Sequence, residues 1–199
     1  MEFKLKGKVI FFATNNIHKF NEAHRILTQH KIAAGMLRVK ALEIQNDTLA
    51  DIATASAIDA FARCRLPIIV EDAGLFINAL NGFPGPYAAY AYRTIGNAGL
   101  LKLMANVEER KATFKSAIAY YDGHAAPLCF EAEATGKITR TERIGNGKSG
   151  FGFDPIFQPD GSKKTFAEMT LEEKNGFSHR AKALNKFAQW YKKLAVTQP

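Results

Sequence analysis

The sequence predicts an α/β fold, and three observations carry that prediction. Short all-apolar runs at 9–13 and 68–70 have the composition of strands buried on both faces. Each adjoins a stretch of helical spacing: Phe20, Ala23, His24 and Leu27 follow the first, and residues from Leu49 to Cys64 precede the second. Residues 114–121 and 128–134 alternate around Asp122-Gly123 and read as an antiparallel hairpin.

After the first strand, Thr14-Asn15-Asn16 supplies hydroxyl and amide groups suited to a turn and a helix N-cap. Lys19 then falls in the first turns of the helix. Strand, polar turn and helix make a phosphate cradle, because free N–H groups and the helix dipole meet an anion there and lysine adds a point charge. Every βα unit has such a turn, so alone it stays open between a cradle and an ordinary connection. A second strand is expected within 31–42. Glu43 lies on the way to Asn46-Asp47-Thr48, and Thr48 with Asp51 resembles a capping box. In its own context Glu43 is equally a solvated loop carboxylate. The helix that follows buries Leu49, Ile52, Ala53, Ala57, Ala60, Phe61 and Cys64.

The central strand comes next, and Glu71 and Asp72 stand at its expected end. Two consecutive carboxylates at a strand end need a cation, a proton or water, since burying an unpaired charge costs several kcal/mol or more. Gly74 is expected to release the chain, and Gly82, Pro84, Gly85 and Pro86 to fix a rigid turn ending on Tyr87. Ligands of open α/β sheets bind beyond the carboxyl ends of strands. A solvated acidic loop is the plain alternative for the pair taken alone.

Tyr90 and Tyr92 lead into a helix expected near 100–104. Gly136 punctuates, and 137–144 is expected as a further strand. Gly145-Asn146-Gly147-Lys148-Ser149-Gly150 matches G-x-G-x-x-G, but Phe151-Gly152-Phe153-Asp154-Pro155 is no helix start, which excludes dinucleotide binding. Gly147-Lys148-Ser149 resembles the end of a phosphate-binding loop whose first glycine position holds Glu142, so that reading is excluded too. The aromatics and single carboxylate of 151–157 form either a slot where a base stacks and pairs or a Phe-rich core turn. Thr165 with Glu168 and Thr170 with Glu173 both match a capping box; the second is expected to open a short helix carrying Lys174. Ser178 is expected to cap the last helix, whose apolar face is Leu184, Phe187, Ala188, Tyr191 and Leu194. His179 and Arg180 sit on its first turn, where cations oppose the helix dipole. An anion or a nucleobase acceptor explains them better than stability does.

Composition bounds the rest. A chain of 199 residues, 47% hydrophobic and 23% charged, makes one large domain or two small lobes with a real core. Cys64 and Cys129 lack metal-ligand spacing and fit a reducing compartment. Glu2, Lys4, Lys6 and Lys8 leave no room for the apolar core of a signal peptide, and no apolar run approaches the roughly 20 residues of a membrane span. A cytoplasmic location without a membrane partner is expected. The net charge of +8 points to an anionic partner. Residues 41–101 contain no lysine, however, and RNA-binding signatures are missing, so no specific nucleic-acid partner is expected.

Taken in order, these residues resemble a known family. The ordered set is Thr14-Asn15-Asn16 with Lys19, Glu43, 70–75, 79–85, 152–157, 167–169, and Glu173-Lys174 with Ser178-His179-Arg180. The chain is similar over nearly its whole length to the inosine triphosphate pyrophosphatase family. The resemblance implies a single domain over 1–199, built on a long twisted mixed sheet flanked by helices. It implies two lobes with a nucleotide cleft between them, and a homodimer. It also implies Mg²⁺-dependent hydrolysis of ITP, dITP and XTP to the monophosphate and pyrophosphate. Carried over by position, Thr14, Asn15, Asn16 and Lys19 hold phosphates, and Glu43, Glu71 and Asp72 handle metal and water, with Asp72 as the base. Ala73, Phe151, Gly152, Phe153, Asp154, Lys174, Ser178, His179 and Arg180 line the nucleotide, with Phe153 stacking the base and Asp154 helping to fix it. Three positions depart from the family pattern. Asn15 replaces a glycine, Ala73 replaces a hydroxyl residue, and the helix before the central strand has Ser56 and Ile58 but no lysine, leaving Arg63 as a substitute cation. Two other readings are weighed: a Maf-like pyrophosphatase for other modified nucleotides, which Ser178-His179-Arg180 argues against, and a nucleotide- or RNA-binding protein of weak catalysis.

Overall fold

A computed structural model of the chain describes residues 9–39, 41–42, 44–145 and 150–196. Among them run β1 (Val9–Ala13), α1 (Ile17–Gln29), β2 (Ala33–Leu37), α2 (Leu49–Cys64), β3 (Ile68–Ile77), β4 (Pro84–Gly85), α3 (Ala88–Thr94) and α4 (Gly96–Leu103). There follow β5 (Lys111–Tyr121), β6 (Leu128–Ile138), β7 (Phe157–Pro159), α5 (Leu171–Phe177) and α6 (His179–Val196). The strands form one mixed sheet in the order β2-β1-β3-β5-β6-β7, with β4 paired to β3. Strands β1, β2 and β3 are parallel, whereas β3 with β4 and β6 with β7 are antiparallel. The chain divides into two compact units.

One unit takes in Met1–Asp72, Ala117–Glu131 and Ala181–Pro199 within the described residues. Its core holds Ile10, Phe12, Leu27, Ala53, Ala57, Ile68, Ile69, Leu184 and Phe187, all fully or almost fully buried. Each large side chain of this set contributes roughly 1.5–3 kcal/mol by leaving water. Helix α1 starts where the sequence puts its cap: Asn16 Oδ1 accepts from the backbone N–H of His18 at 2.9 Å and of Lys19 at 3.2 Å. Helix α2 is capped by Thr48, which accepts from Asp51 N–H at 3.3 Å. It stops at Arg65, whose left-handed backbone (φ 54) returns an N–H to the Phe61 carbonyl at 2.8 Å.

The other unit takes in Ala73–Ser116 and Ala132–Arg180. Its core gathers Leu75, Leu100, Met104, Phe114, Ile138, Phe153, Phe157 and Phe166. Arg110 ties it together by donating to the carbonyls of Ile138 at 2.7 Å, Met104 at 2.8 Å and Thr139 at 2.7 Å. Burial holds this guanidinium below its ordinary pKa range.

Several boundaries differ from the sequence reading. The central strand does not end at Val70: β3 continues through Glu71 and Asp72 to Ile77. Gly74 therefore lies inside a strand. A Cβ there would stand 2.5 Å from the Gly85 carbonyl oxygen, so glycine permits β4 to close on β3. Gly136 likewise sits within β6, where a Cβ would strike the Gln158 carbonyl of β7, and no separate strand occupies 139–144. The aromatic patch around Tyr90 and Tyr92 is itself helical. Both overlapping capping boxes form, Thr165/Glu168 opening the 3₁₀ turn Phe166–Glu168 and Thr170/Glu173 opening α5. Residues 1–8, Glu43 and 146–149 of the glycine-rich stretch lie outside the described residues. No helix among the described residues is long and apolar enough to cross a membrane.

Candidate functional site

Each unit brings together a set of charged side chains that the sequence keeps far apart. In the first, the β1–α1 turn meets β3. Thr14 receives Asn16 N–H on its hydroxyl at 3.1 Å, which winds the turn tightly enough for Asn16 to cap α1. Lys19, in the first turn of the helix, sends its Nζ to Glu71, 3.4 Å from both the carboxylate and the backbone carbonyl. The Glu71 side chain is wholly buried while Lys19 keeps about a fifth of its surface in water, so the lysine is the reachable partner. Asp72 is half-buried on the same strand. Successive strand side chains point to opposite faces, so Glu71 and Asp72 diverge rather than chelate side by side. Arg63 is turned to Asp59 at 2.8 Å on the surface of α2, where it holds the Asp59 carboxyl below the usual range. Ser56 donates its hydroxyl to the Leu42 carbonyl at 2.9 Å. Neither offers a phosphate partner in place of the lysine absent from this helix.

The second set is built on the turn between Gly150 and β7. Asp154 is 4% exposed, and its Oδ2 accepts from Lys174 Nζ at 2.7 Å and from Phe151 N–H at 2.8 Å. Lys174, 1% exposed on α5, lies 5.0 Å from the centroid of the Phe151 ring, and Arg180 lies 5.5 Å from it. Two cations thus address one aromatic ring, whose negative face attracts them. His179 stacks on Phe114 with centroids 4.7 Å apart and planes 6° from parallel. Ser178, His179 and Arg180 are all buried at the junction of α5 and α6. Gly150 fits because a Cβ would lie 2.8 Å from Ala167 Cα on the 3₁₀ turn. That turn is held by Glu168, which accepts from Arg143 at 2.6 Å and from Thr165 N–H at 2.7 Å. Hydrogen bonds from Arg143 hold the Glu168 carboxyl below its ordinary range.

The two phenylalanines of the turn have opposite surroundings. Phe153, expected to stack a base, is 3% exposed, belongs to the core and meets the edge of Tyr92 at 5.5 Å. Phe151 is only half-buried and carries the cations.

Comparison with known proteins shows the family and the fold. The family model described as the Ham1 family matches residues 10–190. The chain belongs to the Ham1 family. A protein of Methanopyrus kandleri named dITP/XTP pyrophosphatase is 48% identical over 183 residues, covering 92% of this chain and 96% of the relative. One of the same name from Thermococcus kodakarensis is 47% identical over 181 residues, covering 91% and 96%. Among solved structures, the Ham1 proteins of Staphylococcus aureus and Coxiella burnetii each superpose with a TM-score of 0.78, covering 94% of this chain and 99% of theirs. They are 27% and 29% identical to it. These matches agree with the resemblance read from the sequence and with its α/β mixed-sheet fold.

The Ham1 chain gathers no group of three or more His, Cys, Asp or Glu side chains that could hold a metal among its described residues, and Glu43 lies outside them. The sequence does not mark Asn97 and Arg143, which brace the turn, and it offers Tyr92 only as part of an aromatic patch. No motif marks them, because each sits in a helix or loop with unremarkable neighbours.

Proposed function

We propose that this chain hydrolyses dITP, ITP and XTP to the nucleoside monophosphate and pyrophosphate. The observation that carries the reading is the Phe151 ring flanked by Lys174 and Arg180 beside a buried Asp154, joined to the dITP/XTP pyrophosphatase name of its relatives. On this reading Phe151 stacks the purine in preference to the core-bound Phe153. Asp154 accepts from Lys174 and from the Phe151 N–H and keeps the turn closed. Arg180 and His179 favour a 6-keto oxygen over the adenine amino group, which would leave buried donors without acceptors at ~1–3 kcal/mol each.

The phosphates belong to Thr14, Asn15, Asn16 and Lys19, with Ala73 offering backbone alone. Lys19 stays paired with the buried Glu71 and meets phosphate oxygens from its water-facing side. Asp72 takes the proton from the attacking water. Mg²⁺ is the cofactor we assign. An ion that takes one or two carboxylates and completes its shell with phosphate oxygens and water fits Asp72 and Glu43, with Glu71 kept for Lys19. When bound it supplies charge neutralisation at the phosphates. The same reading carries a single two-lobed nucleotide domain, a homodimer and a cytoplasmic setting; light scattering tests the dimer. Pyrophosphate release from dITP and XTP against ATP and GTP tests the activity. The names of the relatives favour this reading over the Maf-like one.

A further inference from the structure

Asn97 is the second residue of α4, 8% exposed, and belongs to no recognisable motif. Its Nδ2 donates to the Gly152 carbonyl at 3.3 Å, 55 residues away in the chain. Its Oδ1 is buried and accepts no hydrogen bond from the described residues. Reversing the amide would set oxygen against the Gly152 carbonyl, so this orientation is fixed by its one bond. A buried acceptor left without a donor is unfavourable, and a small apolar residue would avoid it. An amide kept here at that disadvantage is explained by its other half, the bond to Gly152.

Gly152 has φ +61, and among the described residues nothing lies within 4 Å of where a Cβ would stand, so no side-chain packing stands against the peptide there. Phe151 and Phe153 flank it and point to unlike places, one half-buried beneath the cations and one in the core. Phe153 is steadied by Tyr92 from α3, and Gly152 by Asn97 from α4.

We propose that Asn97 is a positioning residue for purine recognition: it holds the Gly152 carbonyl and thereby sets the Phe151 ring at its stacking angle. The assignment rests on the reading that Phe151 carries the base, and acts through that ring without touching the reacting atoms. Loss of the bond lets the peptide at Gly152 rotate. Binding energy at the base falls equally in the ground and transition states, so KM rises and kcat holds.

The test compares wild type with Asn97→Ala and Asn97→Asp, the latter keeping an acceptor while removing the donor. Inorganic pyrophosphate serves as a base-free inhibitor. Both variants should raise KM for ITP by about tenfold, the worth of one lost neutral hydrogen bond. Their kcat should stay within about twofold and their inhibition by pyrophosphate should be unchanged, since neither depends on the base. If Asn97→Asp fails to fold, judged by circular dichroism, Asn97→Ala and Asn97→Ser are read in the same way. An unchanged KM in a folded variant overturns the proposal, and so does a shift in pyrophosphate inhibition in step with KM. Absence of pyrophosphate release by wild type is a different failure: it overturns the nucleotide reading itself, and this assignment falls with it.

Discussion

Lys174 shows how much one residue decides here. Its ammonium group is buried against Asp154 at 2.7 Å, in a place where neither charge reaches water. Removing one member of such a buried pair costs roughly 3–5 kcal/mol. Lys174→Ala should therefore lower the unfolding free energy by that order in urea titration, whereas Lys164→Ala, at an exposed pair with Glu173, should change it little. The two phenylalanines give a sharper contrast. Phe153→Ala should destabilise by about 3–5 kcal/mol through an emptied core site. Phe151→Ala should cost less stability than Phe153→Ala, by the loss of its contacts with the cations, and raise KM for ITP. The motif Phe151-Gly152-Phe153-Asp154 is legible in the sequence, but its division of labour is not. A left-handed glycine separates the rings, so neither strand nor helix periodicity says which faces inward.

At the scale of the element, local chemistry reads well and element ends read poorly. Asn16, Thr48, Thr165 and Thr170 all cap what their spacing says they cap, because a side-chain oxygen two or three residues ahead of a free N–H is a local fact. The end of β3 is a non-local fact. Glu71 stays in the strand because Lys19 answers its charge, and Gly74 stays because β4 pairs there. The 3₁₀ turn beneath Phe151 yields a pH prediction. Glu168 has its carboxyl pKa lowered from 4.5, first by Arg143. Above pH 4.5 both folded and unfolded chains carry the charge, and the pairing contributes in full. Below it the unfolded chain takes up the proton before the folded one, so that contribution is lost as pH falls through the folded value. Glu168→Gln should be less stable than wild type at pH 7, and the gap should narrow in thermal melts taken toward pH 3. A gap that widens in acid would contradict this pairing.

For the whole molecule, the α/β class was legible because buried strands and amphipathic helices leave their periods in the sequence. The site was legible as an ordered set of short motifs, none of which decides anything alone. What the sequence did not show is which charges meet, since Lys19 with Glu71 and Lys174 with Asp154 are joined only by folding. The net charge of +8 admits an anionic partner of any kind. A protein that merely bound RNA would show a steep loss of affinity with salt and no turnover. The most direct measurement is pyrophosphate release from dITP, XTP, ATP and GTP with Mg²⁺, for wild type and Asp72→Asn. The account predicts turnover of dITP and XTP, little of ATP and GTP, and a fall of about 10²–10⁴-fold when the base is lost. No release from any of the four by folded wild-type protein would contradict it.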